Sequence, residues 1–429
     1  MEGPYLSETR LSKVYDDMNG IAWIVLLTLL TDFGLHWLAD QMNLKAWPSS
    51  PPEEFQSFFE PGNYRRSKDY LRIRTRFGWL REATQLATVL IFWFTGGFPM
   101  VDTWVRFLDR GPIVSGLVFV GVLSGLRTVL SLPFSIYSTF VIEEKFGFNR
   151  TSWRTFIIDR IKGAVLGFVL GVPLLAGILF FFQAAGSFAW LYSWGVVVGF
   201  MLVMHYVAPT WIMPLFNRFE PLADKELEKA IHRYANAIDF SLQNVFVMDG
   251  SKRSGKGNAF FAGFGRHKRI VLFDTLVNQH DRDELVAILA HEMGHYKKRH
   301  IIMGLMMSII QTGVMFFLLS LCISHPPLFE AFYMPEPSVY AGLILFGLLY
   351  VPVDFFTSIL GLILSRRNEY AADRFAVETS GNGEALVRAL KKLSVHHLSN
   401  LAPHPFYVFL NYSHPPVMNR IQAIREQSA

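Results

Sequence analysis

A chain of 429 residues that is 51% hydrophobic and 15% aromatic, with only 17% charged side chains, is too apolar for an ordinary soluble enzyme, where roughly a quarter of residues are charged. Its single cysteine, Cys322, excludes an internal disulfide framework and any cysteine-built zinc ribbon. The formal charge of +5 is small, so the placement of the basic residues says more than their number.

In chain order, seven stretches reach the roughly 20 apolar residues that a membrane-crossing helix needs: 20–39, 83–101, 112–140, 163–185, 188–208, 301–324 and 339–363. The first follows a mixed-charge head and lacks a small-residue cleavage site, so it reads as a span and not as a signal peptide. The connection between spans 1 and 2 carries Lys45, Arg65, Arg66, Lys68, Arg72, Arg74, Arg76 and Arg81. That between spans 3 and 4 carries Lys145, Arg150, Arg154, Arg160 and Lys162, whereas the connections between 4 and 5 and between 6 and 7 carry no Lys or Arg. The positive-inside rule makes the first side cytosolic. The expected divisions are 1–210 with spans 1 to 5, a cytosolic segment 211–300, spans 6 and 7 in 301–364, and a second cytosolic segment 365–429. Asp32, Arg127, His205, Gln311 and Asp354 fall at or near hydrocarbon depth. They are expected either to pair, Arg127 with Asp32 or Asp354, or to line a water-filled interior.

The first cytosolic segment predicts three short strands, 244–248, 258–263 and 269–273, with turn residues between them. Asn258-Ala259-Phe260 is the candidate edge to which an extended peptide would pair, with Asn258 and Ala259 the candidate contacts; the alternative is a purely structural sheet. Lys252, Arg253, Lys256, Arg266, His267, Lys268 and Arg269 form a basic cluster. Beside a bilayer its expected partner is anionic lipid and not nucleic acid.

Ala290-His291-Glu292-Met293-Gly294-His295-Tyr296 contains H-E-x-x-H. Leu285, Val286, Ile288, Leu289 and Met293 recur around it at helical spacing, and Asp281 or Asp283 is the expected N-cap. Residues four apart share a helix face about 6 Å apart along the axis, so His291 and His295 can hold one zinc ion. Glu292, turned about 100° away, stands beside the metal as a general base for an attacking water. An open catalytic zinc site needs a third protein ligand. Glu369, in Asn368-Glu369-Tyr370-Ala371-Ala372-Asp373, is the candidate, and Asp373 can accept the spare N–H of a ligating histidine. The plainer alternative for both acids is a solvated helix face shared with Arg366 and Arg374. Spans 6 and 7 make a hairpin that returns Glu369 to the face that carries His291. In Ser413-His414-Pro415-Pro416-Val417-Met418-Asn419-Arg420, His414 can donate to an oxyanion and Arg420 can back it, though a histidine before Pro-Pro is more often a turn residue.

With these residues in place, the chain resembles the type I CAAX prenyl protease family of membrane zinc metallopeptidases, from about Tyr15 to Arg425. The resemblance rests on Leu132-Pro133-Phe134-Ser135 through Phe148-Asn149-Arg150-Thr151, on Ala208-Pro209-Thr210-Trp211-Ile212-Met213-Pro214, on 251–276, and on the three motifs above. It implies a mainly α membrane fold of about seven transmembrane helices around an intramembrane chamber, with a cytosolic gluzincin-like region containing a small β-sheet. It also implies one zinc ion on His291, His295 and Glu369, Glu292 as base, Asp373 behind the ligands, His414 and Arg420 on substrate or oxyanion, and Asn258–Ala259 on the peptide. The implied activity is cleavage near the C-terminus of prenylated proteins, in the endoplasmic reticulum membrane of a eukaryote or the inner membrane of a bacterium. The rivals are a bacterial-type quality-control protease without prenyl preference, and a seven-helix transporter or receptor with a structural metal.

Overall fold

A computed structural model of the chain describes residues 18–59, 62–262 and 269–428. Among the described residues, five helices are long and apolar enough to cross a bilayer unbroken: Gly20–Lys45, Pro112–Glu143, Trp153–Ala184, Gly186–Phe216 and His300–Cys322. Two more are broken. Asn63–Phe94 meets Gly97–Phe107 at 64°, and Val339–Leu349 meets Val351–Ser380 at 56°. Counting each bent pair once gives the seven expected spans. Both breaks have local causes. Gly96 takes φ +76°, a left-handed conformation glycine adopts without strain. Pro352 has no N–H to continue the preceding helix.

Two outlines differ from the simple spans. The second helix begins at Asn63, because its arginine-rich stretch is made of good helix formers. The seventh continues to Ser380, because no proline interrupts 353–380 and the first left-handed residue is Gly381, at φ +65°. The expected division at 364/365 therefore lies inside one helix, and Glu369 and Asp373 ride on the rigid extension of a span.

Two large hydrophobic cores, and a smaller cluster of Tyr70, Ile142, Phe146, Phe148 and Leu398, hold the described residues together. One, at the end of the bundle away from the H-E-x-x-H motif, gathers Trp93, Phe98, Phe119, Leu179, Phe316, Phe329 and Phe332, with Trp93 Nε1 donating to the Ala331 carbonyl at 2.7 Å. The other gathers Leu227, Ile231, Ile270, Leu285, Leu289, Met293, Ala376, Leu386 and Ile424 from the non-membrane segments. Between them the spans bury little: no more than 17% of the most apolar window of any unbroken span is enclosed by protein. The expected pairing of Arg127 with Asp32 or Asp354 does not form. Asp32 faces His36 at 3.7 Å, Gln311 donates to Thr357 at 3.0 Å, and Arg127 is exposed without an acid partner among the described residues. An exposed guanidinium at that depth belongs to a wet interior and not to lipid.

The sheet has four strands, β1 (Phe219–Pro221), β2 (Asn244–Met248), β3 (Ala259–Ala262) and β4 (Arg269–Phe273), in the order β1-β2-β4-β3. β2 and β4 are parallel, and the two outer pairs are antiparallel. β1 is too short to show alternation in sequence. β3 is an edge strand, and its expected last residue, Gly263, lies outside the described residues, as do Arg266, His267 and Lys268. The basic cluster is only partly a surface. Arg253 is turned inward onto Asp159 at 2.7 and 3.0 Å and onto Asn217 at 2.5 Å, and Lys256 onto Glu143 at 3.2 Å.

Candidate active site

The H-E-x-x-H residues lie on the helix Arg282–Lys297, whose start is closed by a capping box: Asp281 accepts the Glu284 N–H and Glu284 reaches back to the Asp281 N–H. Of the two expected caps, Asp281 is therefore the one used. The buried face of this helix carries Leu285, Ile288, Leu289 and Met293. It packs against Val351–Ser380 at a glycine. A Cβ on Gly294 would meet the Ala372 carbonyl oxygen at 3.1 Å and its Cα at 3.2 Å, so the two backbones approach as closely as they do because position 294 has no side chain.

That approach brings three donor atoms together. His291 Nε2 and His295 Nε2 are 3.1 Å apart. Glu369 Oε2 is 3.4 Å from the first and Oε1 is 3.2 Å from the second. Zinc bonds of about 2.0–2.1 Å in a tetrahedron place ligand atoms about 3.3 Å from one another. The group therefore fits one zinc ion. Glu369 Oε2 is also buried without a hydrogen bond among the described residues, which leaves a lone pair for a cation. Burial pulls the His291 imidazolium down, but its hydrogen bonds to Asp373 and Glu369 override this and raise its pKa to about 9. The pocket thus favours positive charge at the point where the three ligands meet.

The surroundings hold the ligands in place. Asp373 lies 2.8 Å from His291 Nδ1, which leaves Nε2 pointing at the ligand cluster. Arg420, buried, locks Asp373 through Nε at 2.8 Å and Nη2 at 2.7 Å. Its third nitrogen, Nη1, is 3.3 Å from Glu369 Oε2. Two arms of the guanidinium are therefore committed to Asp373 and one faces the cavity. His414 is largely exposed, with Nε2 3.4 Å from Glu369 Oε1. Glu292 is half-buried, and desolvation holds its carboxyl above the ordinary carboxylate value, the direction that suits a proton acceptor working near neutrality.

Asn258, Ala259, His291, Glu292, His295, Glu369, His414 and Arg420 all line one cavity of about 730 Å³. Asp373 stands behind His291. Other residues arrive without a local motif. His300 Nδ1 sits 3.0 Å from His295 Nδ1, doing for the second histidine what Asp373 does for the first. Five residues apart is the wrong face of a straight helix, and the turn at Arg299, φ +60°, makes the contact. A third histidine following the motif was the available signal. His397, Asn400 and Tyr412 also line the cavity and had none.

Residues 41–218 match the family described as CAAX prenyl protease N-terminal, five membrane helices, and residues 221–428 match peptidase family M48. Among similar proteins, CAAX prenyl protease 1 of Saccharomyces cerevisiae is 34% identical over 405 residues, covering 87% of this chain and 88% of that one. The CAAX prenyl protease 1 homolog of Arabidopsis thaliana is 40% identical over 306 residues, 70% of this chain and 72% of that one. The Homo sapiens homolog is 30% identical over 423 residues, 87% of this chain and 88% of that one. The crystal structure of S. mikatae Ste24p superposes with a TM-score of 0.89 at 31% identity, covering 95% of this chain and 99% of that one. With the fold, the ligand cluster and these similarities in agreement, the chain belongs to peptidase family M48, in the branch that carries the CAAX prenyl protease N-terminal helices, and is a zinc-dependent membrane metalloendopeptidase.

Proposed function

We propose that this enzyme hydrolyses a peptide bond just downstream of a prenylated cysteine near the C-terminus of its substrate, from the cytosolic face of its membrane. The observation that carries the substrate class is the edge strand β3. Asn258 and Ala259 face the ligand cavity, whereas Phe260 and Phe261 enter a second, mostly apolar cavity of about 1110 Å³ between the helices of spans 5 and 6, lined also by Phe200, Met201, Met204 and Leu305, with His205, Lys297 and Arg299 as its polar part. A peptide laid on that strand has its reacting bond beside the ligands and an isoprenoid-sized apolar volume one or two residues away. The basic connections on the ligand side support the cytosolic assignment.

His291, His295 and Glu369 are the proposed ligands. A zinc ion held there would supply Lewis acidity toward the scissile carbonyl and toward the attacking water. Glu292 takes the proton of that water and delivers it to the leaving amine. His414 donates to the oxyanion, and Arg420 keeps Asp373 and Glu369 in position while placing positive charge behind it. The Asn258 carbonyl accepts the Phe273 N–H at 2.9 Å, so Ala259 turns its own backbone groups to the open edge, where its carbonyl meets the substrate backbone. Asn258 contributes its side chain, whose Oδ1 accepts the Ala259 N–H at 2.9 Å.

The test uses matched farnesylated and unmodified peptides, with products read by mass spectrometry and with or without a chelator. The expected result is chelator-sensitive cutting after the cysteine, with the farnesylated peptide preferred. Equal cutting of both peptides, or cutting elsewhere, overturns the substrate class.

A further inference from the structure

A third cavity, of about 470 Å³, adjoins the ligand cavity and shares His397, Ser399, Asn400 and Tyr412 with it. Its far wall is one face of the helix Asn63–Phe94, with Tyr70, Arg74, Gly78 and Arg81, and Lys256 closes it two residues before Asn258. Its charges resolve pair by pair. Lys256 Nζ donates to Tyr70 Oη at 2.8 Å and pairs with Glu143 at 3.2 Å. Arg81 pairs with Glu82 at 3.3 Å. Asp40 accepts from Trp79 Nε1 at 2.8 Å. Arg74 is different: it donates to Tyr70 Oη at 3.3 Å and has no carboxylate partner among the described residues. A cavity continuous with a peptidase site therefore presents an exposed guanidinium that lacks an anion.

Strand direction says which anion. If the apolar cavity at Phe260–Phe261 takes the prenyl group, the upstream part of the substrate lies at that end of β3. The downstream part then runs antiparallel to the strand, past Asn258 and Gly257. With the residue before the scissile bond opposite Ala259, the third residue beyond it falls opposite Lys256. Three extended residues span about 10 Å, enough to leave the ligand cavity and enter the third one. What ends there is the chain terminus.

We propose that Arg74, with Lys256 and Tyr70, forms the subsite for the free α-carboxylate of the substrate, so that the enzyme measures three residues from the reacting bond to the chain end. This rests on the prenyl-cysteine reading above, which sets the direction of the peptide. The carboxylate takes the open donors of Arg74, and Lys256 adds a cation at the same mouth. Asp40, Glu82 and Glu143, each already engaged, do not compete for Arg74.

The experiment uses the purified full-length protein and two farnesylated peptides of one sequence, one ending in the free acid and one in the amide. Loss of a charge-assisted hydrogen bond is worth roughly a ten- to hundredfold change, and the wild-type kcat/KM is expected to fall by that factor on amidation. Arg74→Gln is expected to bring the acid-to-amide ratio close to one, and Arg74→Lys to restore part of it. Equal wild-type rates on acid and amide overturn the subsite while leaving the prenyl-cysteine reading standing, because both peptides are then still cut after the cysteine. A wild-type ratio preserved in Arg74→Gln overturns it as well. Failure to cut either peptide sinks both readings.

Discussion

At the scale of single residues, the site divides its work between groups that touch the reacting atoms and groups that aim them. His291 is held by Asp373 at 2.8 Å, and Asp373 by the two-armed grip of Arg420. His295 leans instead on His300 at 3.0 Å. Glu292 bonds to none of them and keeps its carboxylate free beside the cluster. Glu292→Gln preserves shape and removes only the proton acceptor. It should keep one zinc per chain by elemental analysis and lose roughly a hundred- to ten-thousandfold in peptide hydrolysis, the usual worth of a positioned general base. Full turnover by a zinc-loaded Glu292→Gln enzyme would refute its role.

At the scale of elements, the ligand set is a property of two helices crossing at Gly294. The capping box at Asp281 starts one helix, and the break before Pro352 aims the other. The Cβ of any larger residue at 294 meets backbone atoms of Ala372 at 3.1–3.2 Å, and backbone cannot rotate away as a side chain can. Gly294→Leu should force the helices apart, cost about 1–3 kcal/mol as overpacking does, and carry Glu369 away from the histidines. Measured zinc content and melting temperature should fall together. A Gly294→Leu protein with normal zinc and stability would mean that the crossing is looser than these distances state.

At the scale of the whole molecule, contacts far apart in sequence tie the membrane half to the peptidase half. Arg253 holds Asp159, Lys256 holds Glu143, and Glu54 receives Lys391 at 2.6 Å as well as Arg425. Those two cations hold the Glu54 carboxyl below its ordinary value of 4.5. A lowered folded pKa means that the stabilisation is complete above the ordinary value and disappears as pH falls through the lowered one. The loop 47–59 should therefore loosen from the C-terminal segment below about pH 4.5. Glu54→Gln should show that looseness already at pH 7, with no further acid step at this loop. Hydrogen exchange of the loop against pH reads both. An acid step of unchanged size in Glu54→Gln would show that other groups control it.

Local residues by themselves determined the membrane class, the seven apolar stretches, the two histidines and Glu292 on one helix, and Glu369 as the candidate third ligand. Each of these is written in apolar runs of 19 to 29 residues or in a four-residue spacing that a helix converts directly into a shared face. Three things waited for the tertiary structure. The bends and the helix running on to Ser380 depend on what each segment packs against. The contact of His295 with His300 needs the turn at Arg299. The placement of three cavities beside residues 256–261, with Arg74 more than 180 residues from Asn258 in sequence, depends on which distant surfaces the fold sets side by side. Short-range periodicity encodes faces, and only packing decides which faces meet.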